Sequence, residues 1–157
     1  MAPFPSHGPT WKQTLSRILR GLRRIRLLRV KDLAARMGMR PRSYEYFESG
    51  RARPNLERIH RFAQEANADP HGIWAAMMIG SPNFALRTAD NRLMSAFLIA
   101  LEEFDQAAGD DIALLETGAI VAAFTASFAV LIEESRQKAG LRDAYSAGRP
   151  KPDDAPT

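Results

Sequence analysis

The stretch MGMRPRSYEYFESGRARP, from Met37 to Pro54, concentrates the side chains best able to act on a ligand. Arg40, Arg42, Arg51 and Arg53 are forked, permanently charged donors, suited to phosphate oxygens or to paired acceptors on one edge. Glu45 and Tyr46 add an acceptor and an amphipathic ring. This is recognition chemistry. The rest of the chain offers nothing that makes or breaks bonds. There is no cysteine, which excludes a disulfide, a thiolate nucleophile and a thiolate metal site. His7, His60 and His71 are scattered, with no ligand spacing to one another or to a carboxylate. No nucleophile–base arrangement and no phosphate-cradling glycine loop is visible. The expectation is a protein that is not an enzyme, with no catalytic residue, no cofactor and no metal.

Charge divides the chain in two. Residues 1–80 carry 15 Lys and Arg against 6 Asp and Glu, a net +9, whereas residues 81–157 carry 7 against 12, a net −5. Opposite signs imply two tasks, with the basic half facing nucleic acid or an anionic surface. The N-terminal MAPFPSHGPT lacks the basic segment and apolar run of a secretory signal. The expected location is the cytoplasm, associated with the nucleoid.

The elements that would position the arginines follow from periodicity. Residues 1–12 are rich in proline and expected to be a disordered arm. Leu15, Ile18, Leu19, Leu22 and Ile25 recur at three- and four-residue steps, the apolar stripe of a helix starting near Thr14. Val30 to Met37 predicts a second helix, with Leu33, Ala34 and Met37 inward and Gly38 as its left-handed stop. Pro41 to Glu48 predicts a third, with proline in the first turn. Tyr44 and Phe47 share its inner face and Ser49-Gly50 ends it. Asn55 caps a fourth, lined by Leu56, Ile59, Phe62 and Ala63, which Asn67 closes. Asp69-Pro70 opens a fifth, carrying Ile73, Trp74 and Met77. The sequence Gly80-Ser81-Pro82-Asn83 marks the predicted domain boundary.

Five short helices, a tight turn at Gly38 and a proline-led loop form a recognisable order. The segment LRRIRLLRVKDLAARMGMRPRSYEYFESGRARPNLERIHRFAQ resembles the lambda-repressor-like, or XRE, family of helix-turn-helix proteins. DLAARMGM matches the first motif helix and turn, and YFESGRARPNLERI the end of the recognition helix, its Glu-x-Gly and the next helix. The resemblance covers about residues 14–78 and implies a five-helix DNA-binding domain over 13–80. It implies that Arg23 and Glu48 pair to hold the first helix against the recognition helix. With Tyr44 and Phe47 inward, Arg40, Pro41, Arg42, Glu45 and Tyr46 form the outer face that such a helix presents to base edges in the major groove. Arg42 could donate two bonds to a guanine edge. Glu45 could accept from a cytosine amino group or orient Arg42, Tyr46 could meet a thymine methyl or a phosphate, and Pro41 offers only apolar contact. Lys31, Arg51 and Arg53 fall where the family contacts phosphates, which supplies affinity without sequence. Val30 stands where the family often has glutamine.

The acidic half predicts two long helices. Leu93, Met94, Phe97, Leu98, Leu101 and Phe104 stripe the first, Ala108-Gly109-Asp110-Asp111 breaks it, and residues 112–138 form the second. The tail, residues 141–157, is expected to be disordered. Thr117 to Ile132 is an uncharged run of sixteen residues, shorter than the roughly 20 that span a bilayer, and acidic at both ends, so no membrane span is expected. The fold class is therefore all-α: the five-helix domain followed by a two-helix hairpin over 84–140. Bulky residues on one side of the second helix and alanines on the other leave a face for the basic domain or a second copy of the chain to cover. The second copy is the expectation, with Phe97, Leu101, Ile120, Phe124, Phe128 and Leu131 at a homodimer interface. The function this implies is a regulator, of repressor type, binding double-stranded DNA as a dimer on a palindromic operator. The alternative is an antitoxin-type protein whose C-terminal helices neutralise a protein partner.

Overall fold

The computed structural model describes residues 10–147. They are all-helical, without a strand: α1 (Trp11–Ile25), α2 (Val30–Arg36), α3 (Pro41–Glu48), α4 (Leu56–Glu65), α5 (Pro70–Ile79), α6 (Pro82–Thr88), α7 (Leu93–Ala108), a 3-10 turn (Gly109–Leu114) and α8 (Thr117–Ala147). The chain divides into two compact units, one up to Ala107 and one from Ala108 on.

The first unit has one core. Leu15, Ile18, Leu19 and Leu22 of α1 are fully buried, together with Leu33 and Ala34 of α2, Tyr44 and Phe47 of α3, Ile59 and Phe62 of α4, and Ile73 of α5. Local chemistry agrees with the predicted ends. Gly38, Gly50, Gly80 and Asn67 all have positive φ. The Asn55 side chain accepts from the Arg58 N–H, and the Asp69 carboxylate accepts from the N–H of His71. Ile25 and Leu56 depart from the predicted stripes, being 49% and 60% exposed. Each is the terminal residue of its helix, beyond the reach of the core.

Three boundaries are corrected. α1 begins at Trp11, inside the segment expected to be a disordered arm, because Thr10 and Gln13 form a reciprocal capping box; residues 1–9 of that arm lie outside the described residues. The expected boundary at residues 80–83 is only a turn. Pro82 opens α6, whose Ala85, and Ala89 just beyond it, are buried in the same core. Gly21 lets α6 approach α1, since a Cβ there would meet Leu86 Cδ2 at 2.9 Å. The basic domain therefore extends past residue 80, and residues 84–89 belong to it. Third, α8 runs to Ala147 where a disordered tail was expected from 141. The residues LRDAYSA hold no glycine or proline and continue the helix; residues 148–157 of that tail lie outside the described residues.

α7 starts from a polar clasp. Asp69 accepts from the N–H groups of Met94 and Ser95 at 3.0 and 3.2 Å and from the Ser95 hydroxyl at 2.7 Å. One buried carboxylate thus caps both α5 and α7. Arg92, with φ +52°, donates to the Asn67 side chain and the Ala68 carbonyl. Beyond this clasp α7 buries none of its residues.

A left-handed Gly109 starts the break after α7. α8 has 31 residues, none buried. It is the one helix among the described residues long and apolar enough to cross a membrane, with a mean hydropathy of 1.5 over its most apolar window. The uncharged run makes up only sixteen of its 31 residues. The two long helices of the sequence reading are present, α7 in the first unit and α8 in the second.

Candidate nucleic-acid interface

Tyr44 and Phe47 lie on one side of α3, 0% and 1% exposed. Their rings meet edge-on at 6.2 Å, and Phe47 meets Phe62 of α4 at the same distance. Edge-to-face pairs of this kind fix ring orientation as well as burying area. α3 therefore cannot roll about its axis without exposing two aromatic rings. Burial of these two leaves Arg40, Pro41, Arg42, Glu45 and Tyr46 exposed, Tyr46 by 54%.

Polar contacts lock the same helix from behind. Arg23 Nε donates to Glu48 Oε1 at 2.5 Å, and its Nη1 donates to the Leu28 carbonyl at 3.2 Å. The Tyr44 hydroxyl donates to Glu48 Oε1 at 2.9 Å. Glu48 is buried, and this triad satisfies it. Hydrogen bonding to Glu48 raises the Arg23 pKa above its ordinary value. Burial first, and the Glu48 carboxylate second, push the Tyr44 hydroxyl far above its usual range, so it stays a donor. The Arg23–Glu48 contact is the pair that the resemblance implies, whereas the Tyr44 hydroxyl, as a third member, has no signature in the helical spacing that makes Tyr44 a core residue.

Turns at both ends of α3 set its position. Arg40 is its N-cap and Pro41 its first residue. The preceding Gly38 has φ +66°. After α3, Gly50 has φ +74° and packs against α1, where a Cβ would lie 2.1 Å from the Lys12 carbonyl oxygen. Val30, where a glutamine was noted as common in the family, packs partly buried against the core.

The predicted phosphate contacts flank this helix in the chain. Lys31 is exposed in the first turn of α2; Arg51 and Arg53 are exposed in the loop after α3. Lys31, Arg40, Arg42, Arg51 and Arg53 have no carboxylate partner among the described residues, in contrast to Arg23, Arg26 and Arg29. Cations left unpaired on a surface remain available to external anions. Two further cations escaped sequence reasoning. Arg58 lies over the Phe47 ring at 5.8 Å, and the Asn55 cap, which places it in the first turn of α4, was its signal. Lys12 lies in the segment assigned to the arm, its ammonium 5.6 Å from the Trp11 ring.

The predicted dimer residues are divided between two helices. Phe97 and Leu101 are on α7 in the first unit, and Ile120, Phe124, Phe128 and Leu131 are on α8 in the second. Leu101, Phe124, Phe128 and Leu131 are 40–46% exposed. The histidines correct another expectation: His60 and His71 are not scattered, their rings meeting edge-on at 5.2 Å. No group of three or more His, Cys, Asp or Glu that could hold a metal ion occurs among the described residues.

No protein-family model, curated protein or solved structure matches this chain.

Proposed function

We propose that this protein is a sequence-specific, double-stranded-DNA-binding transcriptional regulator of repressor type, with the helix-turn-helix architecture of the lambda-repressor-like family. It acts in the cytoplasm, on the nucleoid, as a homodimer on a palindromic operator. The reading assigns α3 to the major groove, where Arg42 and Arg40 read purine edges, Glu45 and Tyr46 add an acceptor and an apolar ring, and Pro41 contributes contact only. Lys31, Arg51 and Arg53 neutralise phosphates. The C-terminal helices hold the two copies together and no membrane is involved.

One observation carries the reading: Tyr44 and Phe47 are buried beneath α3 while the cationic first turns of the same helix are exposed and unpaired. The net +9 of residues 1–80 supports it independently. So does the exposure along α7 and α8, which a second copy would cover.

Duplexes selected from a random library, then compared with scrambled competitors in mobility-shift titrations, test the proposal. Wild type should prefer the selected duplex. Arg42→Ala should lose roughly 1–3 kcal/mol of that preference and keep its affinity for scrambled DNA. A wild-type chain with no preference, or an Arg42→Ala variant that reads as wild type does, ends it.

A further inference from the structure

We propose that the cleft along α4 binds a small organic oxyanion, a phosphate monoester or a dicarboxylate carrying hydroxyl groups, and that Arg61 relays its binding to the turn before α3. The site stands apart from the DNA-binding reading above; the relay rests on that reading.

The cleft is open and has a volume of about 580 Å³, within the range of small-molecule sites. Glu57, His60, Arg61 and Gln64 line it from one side of α4, and Arg92 lines it from the residue before α7. Only Ala68 and Pro70 among its lining residues are apolar, so it selects a hydrophilic ligand. Arg61 and Arg92 face a single carboxylate, Glu57. None of the three forms an ion pair among the described residues, although Glu57 and Arg61 are four residues apart on one helix. Arg61 donates to the Arg36 carbonyl at 3.1 Å, and Arg92 to the Asn67 side chain and the Ala68 carbonyl. These bonds hold both guanidiniums in place and use only part of each donor fork. Two such forks without a counter-charge suit an oxyanion. Glu57, His60 and Gln64 beside them suit hydroxyl groups.

Two further observations fall on the same cleft. Arg92 adopts left-handed backbone, at φ +52°, a conformation that costs a non-glycine residue energy and gathers at ligand sites. His60 Nε2 is buried without a hydrogen-bond partner, its ring edge-on to His71. Buried polar atoms with no bond are uncommon, and a small rotation of the ring would offer this one to a ligand hydroxyl. The relay follows from what Arg61 holds. Arg36 is the last residue of α2, two before the left-handed Gly38 and four before Arg40, the N-cap of α3. Glu57 and Arg61 also line a second cleft, of about 280 Å³, together with Met37 and Met39 of that turn. An oxyanion that draws Arg61 toward itself loosens its hold on Arg36, and so on the turn that sets α3. A backbone phosphate of bound DNA is the competing source of the same chemistry.

Titration calorimetry on the full-length chain, with inorganic phosphate, glucose 6-phosphate and malate as probes, tests the site. At least one of the two organic acids should bind saturably, and more tightly than inorganic phosphate. Arg92→Gln and Arg61→Gln should each weaken it about tenfold, whereas Arg17→Gln, at an exposed cation of α1, should leave it unchanged. Glu57 is exposed and unpaired, so Glu57→Gln keeps the test sound where an arginine variant fails to fold; it should tighten inorganic phosphate about threefold. The His60 ring resonances should shift with the same midpoint. No saturable binding, equal weakening by Arg17→Gln, or a Glu57→Gln variant without effect overturns the site. An Arg92→Gln variant that flattens the salt dependence of DNA binding, with no probe present, puts a DNA phosphate in the cleft and overturns it as well. For the relay, the saturating acid should lower affinity for the selected duplex about fivefold or more at constant ionic strength, and Arg61→Gln should abolish that response. An acid that binds without changing DNA affinity overturns the relay and leaves the site. A chain that binds the acid but prefers no duplex overturns the DNA-binding reading, and the relay with it, and leaves the site.

Discussion

Arg23 of α1 and Glu48 of α3 meet at 2.5 Å with side chains only 16% and 7% exposed, and the Tyr44 hydroxyl joins the same carboxylate. This pair ties the helix behind the candidate interface to the end of α3 whose other face is exposed. Removing one member leaves the other buried without its partner, which costs more than a surface pair ever contributes. Arg23→Ala should therefore lower unfolding stability by about 3 kcal/mol in urea titrations. Tyr44→Phe removes one neutral donor and keeps the ring, and should cost nearer 1 kcal/mol. Equal losses for the two would mean that the ion pair holds α3 no more strongly than the single Tyr44 hydroxyl bond does.

Gly50 and Gly38 both adopt left-handed backbone, at φ +74° and +66°, but their surroundings differ. Nothing lies within 4 Å of a Cβ built on Gly38, whereas the Lys12 carbonyl oxygen lies 2.1 Å from one built on Gly50. Gly38→Ala should cost only the conformational penalty of roughly 1–2 kcal/mol. Gly50→Ala adds a backbone collision that cannot be relieved by a rotamer change, so it should lower the melting temperature far more. Thermal melts of the two variants side by side check this. Indistinguishable melts would show that α1 does not press on the α3–α4 loop.

How much of this could be read from the chain follows from the range of each interaction. Tyr44 and Phe47 were legible as the inner face of α3 because three-residue spacing is local, and Gly38, Asn55 and Asp69-Pro70 were legible as caps for the same reason. The Thr10–Gln13 capping box was equally local and was overlooked beneath the prolines around it. α6 was illegible for a different reason. Pro82 and Gly80 mark a linker and a helix start equally well, and only Leu86 packing over Gly21, sixty-five residues away in the chain, decides between them. Asp69 was read as the cap of α5; its bonds to Met94 and Ser95, twenty-five residues on, have no sequence signature. The candidate recognition face needed only helical periodicity plus a resemblance. The cover of α8 needs a second molecule, which one chain's periodicity does not identify.

The Asp69 clasp predicts a pH response. Burial pushes this carboxyl upward, but the Ser95 hydroxyl and the N–H groups of Ser95, Gly72 and Met94 outweigh it and hold its pKa below the ordinary value of 3.8. A carboxyl lowered on folding stabilises the fold fully above its unfolded pKa, and that contribution drains away as pH falls through the folded value. Unfolding titrations from pH 6 downward should show wild type losing this increment below about pH 4. Asp69→Asn should start less stable at neutral pH and fall less steeply in the acid range. Parallel acid limbs for the two proteins would remove Asp69 as a source of the response.

Lys31, Arg51 and Arg53 are exposed and unpaired at the start of α2 and in the loop after α3, and their proposed role separates cleanly from that of Arg42. A phosphate contact releases condensed counterions, so each contributes about 0.9 to the slope of log affinity against log salt. Replacing all three by alanine should flatten that slope by about 2.7 per bound protomer and weaken selected and scrambled duplexes alike. Arg42→Ala should instead narrow the gap between the two duplexes, with a smaller change in slope. Affinities measured across a series of salt concentrations, on both duplexes and for both variants, distinguish the two roles. A triple variant with an unchanged slope would place the phosphates elsewhere on the basic unit. Lys12, whose backbone carbonyl lies against Gly50, and Arg58 in the first turn of α4 would then be the next cations to replace.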